Sequence, residues 1–286
     1  MSAKKSSLPL VDATELARLV DDDRVRVVDC RFVLPQPEAG RRAYAEGHLP
    51  NAVYAHLDED LAGPVTARTG RHPLPDPDRF AARLGEWGIG PDTLVVAYDD
   101  ASGALASRLW WLLGWIGHRR RRVLDGGIDA WLAAGGSLTT ESPPPARTSP
   151  YPARPEPERV AEAPAVIEAL AAGLPVIDAR ARERYLGERE PIDPVAGHIP
   201  GSVNHPFSAN LDAEGHLLPA TELAGRLRSL GIGRQSGAVA LCGSGVTACH
   251  IILAAAAAGL PEPRLYPGSW SEWIRDPDRP VAAGQG

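Results

Sequence analysis

Lysine is nearly missing from this chain: Lys4 and Lys5 are the whole supply, and arginine makes up the rest of the 30 basic residues. Against 36 acidic residues the formal net charge is -6, so the basic stripe expected of a nucleic-acid binder is absent. The one dense cationic cluster, residues 119–122, is short and reads as a solvated loop. Cysteine is scarce as well. Three cysteines in 286 residues cannot build a disulfide framework, and neither C-x-x-C nor a zinc spacing with the eight histidines occurs. Reduced thiols, no metal and no cofactor are therefore expected, and any special cysteine would be chemical rather than structural. Long apolar runs are missing too. The longest, residues 246–260, carries Cys249 and His250 and falls short of the roughly 20 residues a bilayer crossing needs. No apolar core follows Lys4 and Lys5, so a secretory signal is not expected. The chain reads as a soluble cytoplasmic protein without membrane or nucleic-acid partners.

What is present is a repeat. Phe80-Ala-Ala-Arg-Leu-Gly-Glu-Trp-Gly-Ile-Gly90 lies ungapped over Leu223-Ala-Gly-Arg-Leu-Arg-Ser-Leu-Gly-Ile-Gly233. Upstream, Gly47-His-Leu-Pro50 answers Gly197-His-Ile-Pro200, and downstream Gly126-Gly-Ile-Asp-Ala-Trp131 answers Gly268-Ser-Trp-Ser-Glu-Trp273. Three matches in one order imply two copies of one domain. The copies are placed at residues 8–142 and 161–283, joined by a proline-rich connector at 143–160 that favours an extended strap. Each copy reads as α/β. Val25–Asp29, Leu94–Tyr98, Val176–Asp178 and residues 238–241 are short apolar strands. Apolar stripes following Asp78 and Thr221, each closed by glycine, are helices with those residues as N-caps. Strands alternating with helices imply a mostly parallel sheet covered on both faces, with its site at the carboxyl ends of the strands.

At that end of the second copy, the strand runs into Cys242-Gly-Ser-Gly-Val-Thr247 and then an alanine-rich helix. A ring of backbone N–H groups beside a helix N-terminus stabilises negative charge on sulfur. The thiolate is the nucleophilic form, and a free thiol is only a few per cent thiolate at neutral pH. The register of the repeat puts Asp99 opposite Cys242, so the first copy has no thiol there. Cys30 and Cys249 read as core, and His48 and His198, in the repeated turn boxes, as structural hydrogen-bonding residues. A cysteine phosphatase would need arginine in a Cys-x5-Arg loop, where Ala248 stands; a serine hydrolase would need a Gly-x-Ser-x-Gly elbow, which is absent.

The Cys242-Gly-Ser-Gly-Val-Thr247 loop, the paired Gly-His-Ile/Leu-Pro boxes and the closing Gly-Ser-Trp-Ser-Glu-Trp273 together resemble the tandem-domain rhodanese family of sulfurtransferases, in its 3-mercaptopyruvate branch. The resemblance implies two rhodanese-like α/β domains, the first inactive and the second forming a persulfide on Cys242. It implies that Gly243, Gly245, Val246 and Thr247 hold that persulfide, and that Arg184 binds the donor anion. The second substrate arginine of the branch falls to Arg189, displaced from its usual place. A relay of Ser244, His72 and Asp58 is likewise implied, and it would serve the proton that a departing pyruvate enolate needs.

The neutral loop, with Gly243 and Ser244 where basic residues would favour dianionic thiosulfate, points to mercaptopyruvate as donor. Thiosulfate as donor, and a persulfide carrier or binding module for a protein partner, are the alternatives. Cyanide, a small thiol or thioredoxin is the expected acceptor, and the chain is expected to act as a monomer.

Overall fold

The computed structural model describes residues 9–143, 151–233 and 237–285. The chain divides into two compact units, and their borders do not follow sequence order. One takes in the chain up to Asp60 together with Asp76–Pro155; the other takes in Leu61–Pro75 together with the chain from Glu156 onward.

The first unit runs β1 (Leu10–Val11), α1 (Ala13–Leu19), β2 (Val25–Asp29), α2 (Ala39–Glu46), β3 (Ala52–Tyr54), α3 (Pro77–Glu86), β4 (Leu94–Tyr98), α4 (Ala106–Trp115), β5 (Arg121–Leu124) and α5 (Gly127–Ala133). Its five strands lie in the order β1-β5-β4-β2-β3, all parallel. β2 and β4 pair residue for residue from Val25↔Leu94 to Asp29↔Tyr98, so their carboxyl ends are level. Val27, Val96, Leu49, Tyr98 and Trp131 fill the core on one face. α3 shows how the sequence makes such an element: Phe80 and Leu84, one turn apart, are buried, each contributing about 1.5–3 kcal/mol. Its N-cap is Asp76, whose side chain accepts the Asp78 and Arg79 N–H groups, not Asp78 as the stripe suggested. Pro77 explains the earlier start, because proline is preorganised for the first helical position.

Arg121 and Arg122 open β5 rather than a solvated loop. Arg121 is buried with its guanidinium 4.6 Å from the Trp110 ring centroid, and Arg122 pairs with Glu15 at 2.6 Å. A flat cation that stacks on an aromatic face can be taken out of water where a lysine could not.

The second unit runs α6 (Ala163–Ala171), β6 (Val176–Asp178), α7 (Arg182–Tyr185), β7 (Val203–Asn204), α8 (Ala220–Ser229), β8 (Val239–Leu241), α9 (Ala248–Ala257), β9 (Arg264–Leu265) and α10 (Ser269–Trp273). Its sheet has the order β7-β6-β8-β9, again all parallel. Val160 adds a single parallel bridge to Leu265, the counterpart of β1 on β5. Val176, Ile199, Val239, Leu241, Trp270 and Trp273 form its core. α8 begins after Pro219 with no side-chain cap, so Thr221 lies inside the helix and not at its cap.

Of the connector, residues 144–150 fall outside the described residues. The rest is docked rather than a free strap: the Arg154 N–H donates to Ile116 O, Tyr151 bonds His118 at 2.9 Å, and Pro157–Arg159 makes a 3-10 turn.

The repeat is exact enough to be read atom by atom within each unit. Arg31 clasps Asp29 and donates to Gly47 O at 2.7 Å; Arg180 clasps Asp178 and donates to Gly197 O at 2.7 Å. His48 stacks on Tyr44 and bonds Tyr44 O, and His198 stacks on Tyr185 and bonds Tyr185 O. Both histidines thus lock the turn box to the preceding helix.

Candidate active site

Cys242 follows β8 directly, at the level carboxyl ends of β6 and β8, and is 2% exposed. Its sulfur accepts the Gly245 N–H at 3.1 Å. Gly245 makes this possible with φ +74°, and a Cβ there would meet Pro267 O at 2.6 Å, so no other residue fits the curl without strain. α9 starts at Ala248, aiming the positive end of its dipole at the loop. Thr247 sits at the N-cap without a side-chain capping bond, and Val246 is buried.

The loop is held from behind by the closing motif. Trp270 N–H donates to Cys242 O and Ser271 N–H to Gly243 O. Ser269 has φ +52°, rare for a residue with a side chain. Its hydroxyl accepts the Cys242 N–H at 3.1 Å and donates to Tyr266 O at 2.8 Å, which compensates the backbone cost.

The first unit carries the same loop with a different occupant. Asp99 follows β4, is fully buried, and its carboxylate accepts four backbone N–H groups, from Ala101, Gly103, Leu105 and Ala106, at 2.7–2.9 Å. Ile128 N–H bonds Asp99 O just as Trp270 N–H bonds Cys242 O. The anion cradle of this copy is filled by the chain's own anion.

Around Cys242 the second unit gathers side chains from distant sequence. His72 Nδ1 lies 2.7 Å from Ser244 Oγ, and both residues are buried. The segment bearing His72 is pinned at Gly70, where a Cβ would stand 2.4 Å from Gly268 O, and by the Arg71 N–H bond to Ser271 Oγ. Two guanidiniums lie against the loop: a Cβ on Gly243 would be 2.9 Å from Arg71 Nη2 and 3.5 Å from Arg184 Nη1. Arg184 is held by Glu190, at 3.0 and 3.1 Å from Nε, and by Asp193 at 3.0 Å. Glu190 is held below its ordinary range: burial works against this, but the Arg184 hydrogen bond and the Asp193 and Ile192 amides outweigh it.

Arg189 is exposed, with its N–H on Glu183 O; the second guanidinium beside Gly243 belongs to Arg71. The signal for Arg71 was its place next to His72, which reads from sequence as surface charge. Asp58 lies in the first unit, exposed in the turn after β3, with its N–H on His56 Nδ1.

Cys30 and Cys249 are buried, Cys249 with Sγ 3.3 Å from Gly245 O, and burial, then Asp29, Asp99 and Asp60, push the Cys30 thiol up. Among the described residues, Glu38, His56 and Glu59 come together closely enough for a cation. His56 Nδ1, however, accepts the Asp58 and Glu59 N–H groups, so the proton sits on Nε2 and the ring has no lone pair for a metal.

Two parallel α/β units, one ending its central strand in an amide-cradled cysteine and the other in an amide-cradled aspartate, define a tandem sulfur-handling architecture. The chain belongs to the rhodanese family: the rhodanese-like domain matches residues 12–134 and 162–276. It is 48% identical over 283 residues to the "Probable 3-mercaptopyruvate sulfurtransferase" of Pseudomonas aeruginosa, covering 98% of this chain and 99% of that one. It is 35% identical to the thiosulfate sulfurtransferase of Bos taurus, covering 92% and 90%. The solved 3-mercaptopyruvate sulfurtransferase from Leishmania major superposes with a TM-score of 0.82 at 31% identity, covering 95% of this chain and 75% of that chain. The expected fold class, two rhodanese-like α/β domains, is thereby borne out, and both names among the relatives are those of enzymes. No described helix is long and apolar enough to cross a membrane.

Proposed function

We propose that this chain transfers sulfane sulfur from 3-mercaptopyruvate through a persulfide on Cys242 to cyanide, a small thiol or thioredoxin. The Cys242 thiolate attacks the donor's sulfur; an S–S bond forms, the C–S bond breaks, and its electron pair goes to carbon as the enolate of pyruvate. The proton lost from the donor's thiol is the one the enolate carbon needs, so a relay that carries it across is the useful catalyst. The His72–Ser244 hydrogen bond, with Ser244 two residues from Cys242, is the observation that carries this donor choice, because sulfite departing from thiosulfate needs no proton. Arg184 and Arg71 take the donor carboxylate, and the loop amides of residues 243–247 take the outer sulfur. The acceptor then attacks that sulfur, the S–S bond breaks, and the thiolate is restored. The first unit, its cradle filled by Asp99, transfers no sulfur. We place the protein in the cytoplasm, where its three free cysteines would stay reduced, and take it to act as a monomer.

Thiosulfate is the second reading, favoured by the two cations beside Gly243. The test is the steady-state rate of the reduced protein with cyanide as acceptor and either donor, with Cys242→Ser alongside. The expected result is a higher kcat/KM for mercaptopyruvate, and no turnover in the variant. Preference for thiosulfate overturns the donor, and retained turnover in the variant overturns the nucleophile.

A further inference from the structure

The two arginines beside the loop are already bridged by a carboxylate. Asp193, its side chain 2% exposed, offers Oδ1 to Arg71 Nη1 and Oδ2 to Arg184 Nη2, the latter at 3.0 Å. One oxygen on each guanidinium is the arrangement that a donor's carboxylate would adopt there. Glu190, 3% exposed, shapes the turn that presents Asp193, accepting the Ile192 and Asp193 N–H groups while bracing Arg184. The charges of Arg71, Arg184, Glu190 and Asp193 cancel. Arg71 Nε is buried and has no hydrogen-bond partner among the described residues, so the fork keeps a donor for a further acceptor. Residues 187–197 form no helix or strand, which leaves the turn able to shift without breaking a regular element.

We propose that Asp193 is a specificity-determining residue: an internal competitor for the donor's anion site, which a donor must displace or share, and which disfavours dianions over monoanions. Its carboxylate repels an incoming charge in proportion to that charge, so a dianion meets twice the repulsion of a monoanion at the same place. The proposal rests on the two arginines being the donor's anion site, as read above, but half of its test needs no turnover.

Asp193→Asn keeps the shape and removes the charge. Calorimetric titration of the reduced protein with pyruvate and with sulfate should show binding tightened by about tenfold for the monoanion and roughly a hundredfold for the dianion. With turnover, KM should fall for both donors, and the kcat/KM ratio should move toward thiosulfate by about tenfold. If Asp193 merely holds the arginines in place, the variant binds both anions more weakly and KM rises for both, which overturns the proposal. Asp193→Glu keeps the charge and should keep the wild-type donor ratio; a shift in that variant as large as in Asp193→Asn also overturns it. Absence of turnover with either donor in the wild type would count against the sulfurtransferase reading, while the titrations would still decide the role of Asp193.

Discussion

Replacing Asp99 by asparagine changes one oxygen to an NH2 group in the first unit's cradle. In the wild type Oδ1 accepts from Ala101 and Gly103, and Oδ2 from Leu105 and Ala106. Asparagine can serve only one of these pairs; the other two N–H groups then face a donor at a side chain that is fully buried. Hydrogen bonds to a charged acceptor contribute about 1.5–3 kcal/mol each, so losing two costs roughly 3–6 kcal/mol. Against about 5–15 kcal/mol for a whole domain, that is a large share. Five of the seven tryptophans, Trp87, Trp110, Trp111, Trp115 and Trp131, belong to the first unit, so tryptophan emission during urea unfolding follows this unit above all. With a denaturant slope of about 2 kcal/mol/M, a loss of about 4 kcal/mol moves the midpoint down by roughly 2 M. A shift under about 0.5 M would refute the reasoning, because four short bonds to a carboxylate cannot be worth so little.

Ser244→Ala should lower kcat on mercaptopyruvate by about a hundredfold, while thiosulfate turnover stays within about threefold; equal losses on both donors in steady-state assays would show that Ser244 acts on loop shape and not on a proton. Stability of the first unit should fall as pH drops from 7 to 5.5. Burial first, and then Arg121 and Arg120, hold the His118 imidazole below its ordinary value of 6.5, against the opposing hydrogen bonds to Arg120 O and Thr93 O. The folded state therefore favours the neutral ring, so the stabilisation is full above the unfolded value and is lost as pH falls toward the lowered folded one. Urea midpoints across that range check this, with His118→Gln expected to flatten the slope; a wild-type profile that is already flat would refute it.

The local elements and the nucleophile could be read from the chain because they rest on short-range pattern. Strands such as Val25–Asp29 and Leu94–Tyr98 declare themselves by runs of β-branched and apolar residues, and a cysteine before Gly-Ser-Gly is a local statement about backbone curl. Helix starts were less legible. Asp76-Pro77 and Asp78 are both plausible caps by residue type, and only the path of the chain decides between them. What stayed hidden depends on long-range packing. Arg71 and His72 are a polar loop in sequence and become part of the cysteine's surroundings only because Gly70 can approach Gly268. Asp193 carries no motif at all; its meaning comes from two arginines that lie nine and 122 residues away. Asp99 showed in the repeat as a missing thiol, but the four amides that make it a substitute anion appear only in the folded loop.

The membership of Leu61–Pro75 in the second unit has a consequence for how the protein must be made. A duplicated protein can ordinarily be cut at its connector into working halves, but a fragment beginning at Glu156 would lack Gly70, Arg71 and His72. On the ribosome this segment emerges between β3 and α3, early in the first unit. Its anchor Ser271 follows Arg71 by 200 residues, a delay of roughly 10–40 s at about 5–20 residues per second. The first unit must therefore close its sheet around an excursion that has nothing yet to hold, and the thiol's surroundings come together only after Ser271 has been made.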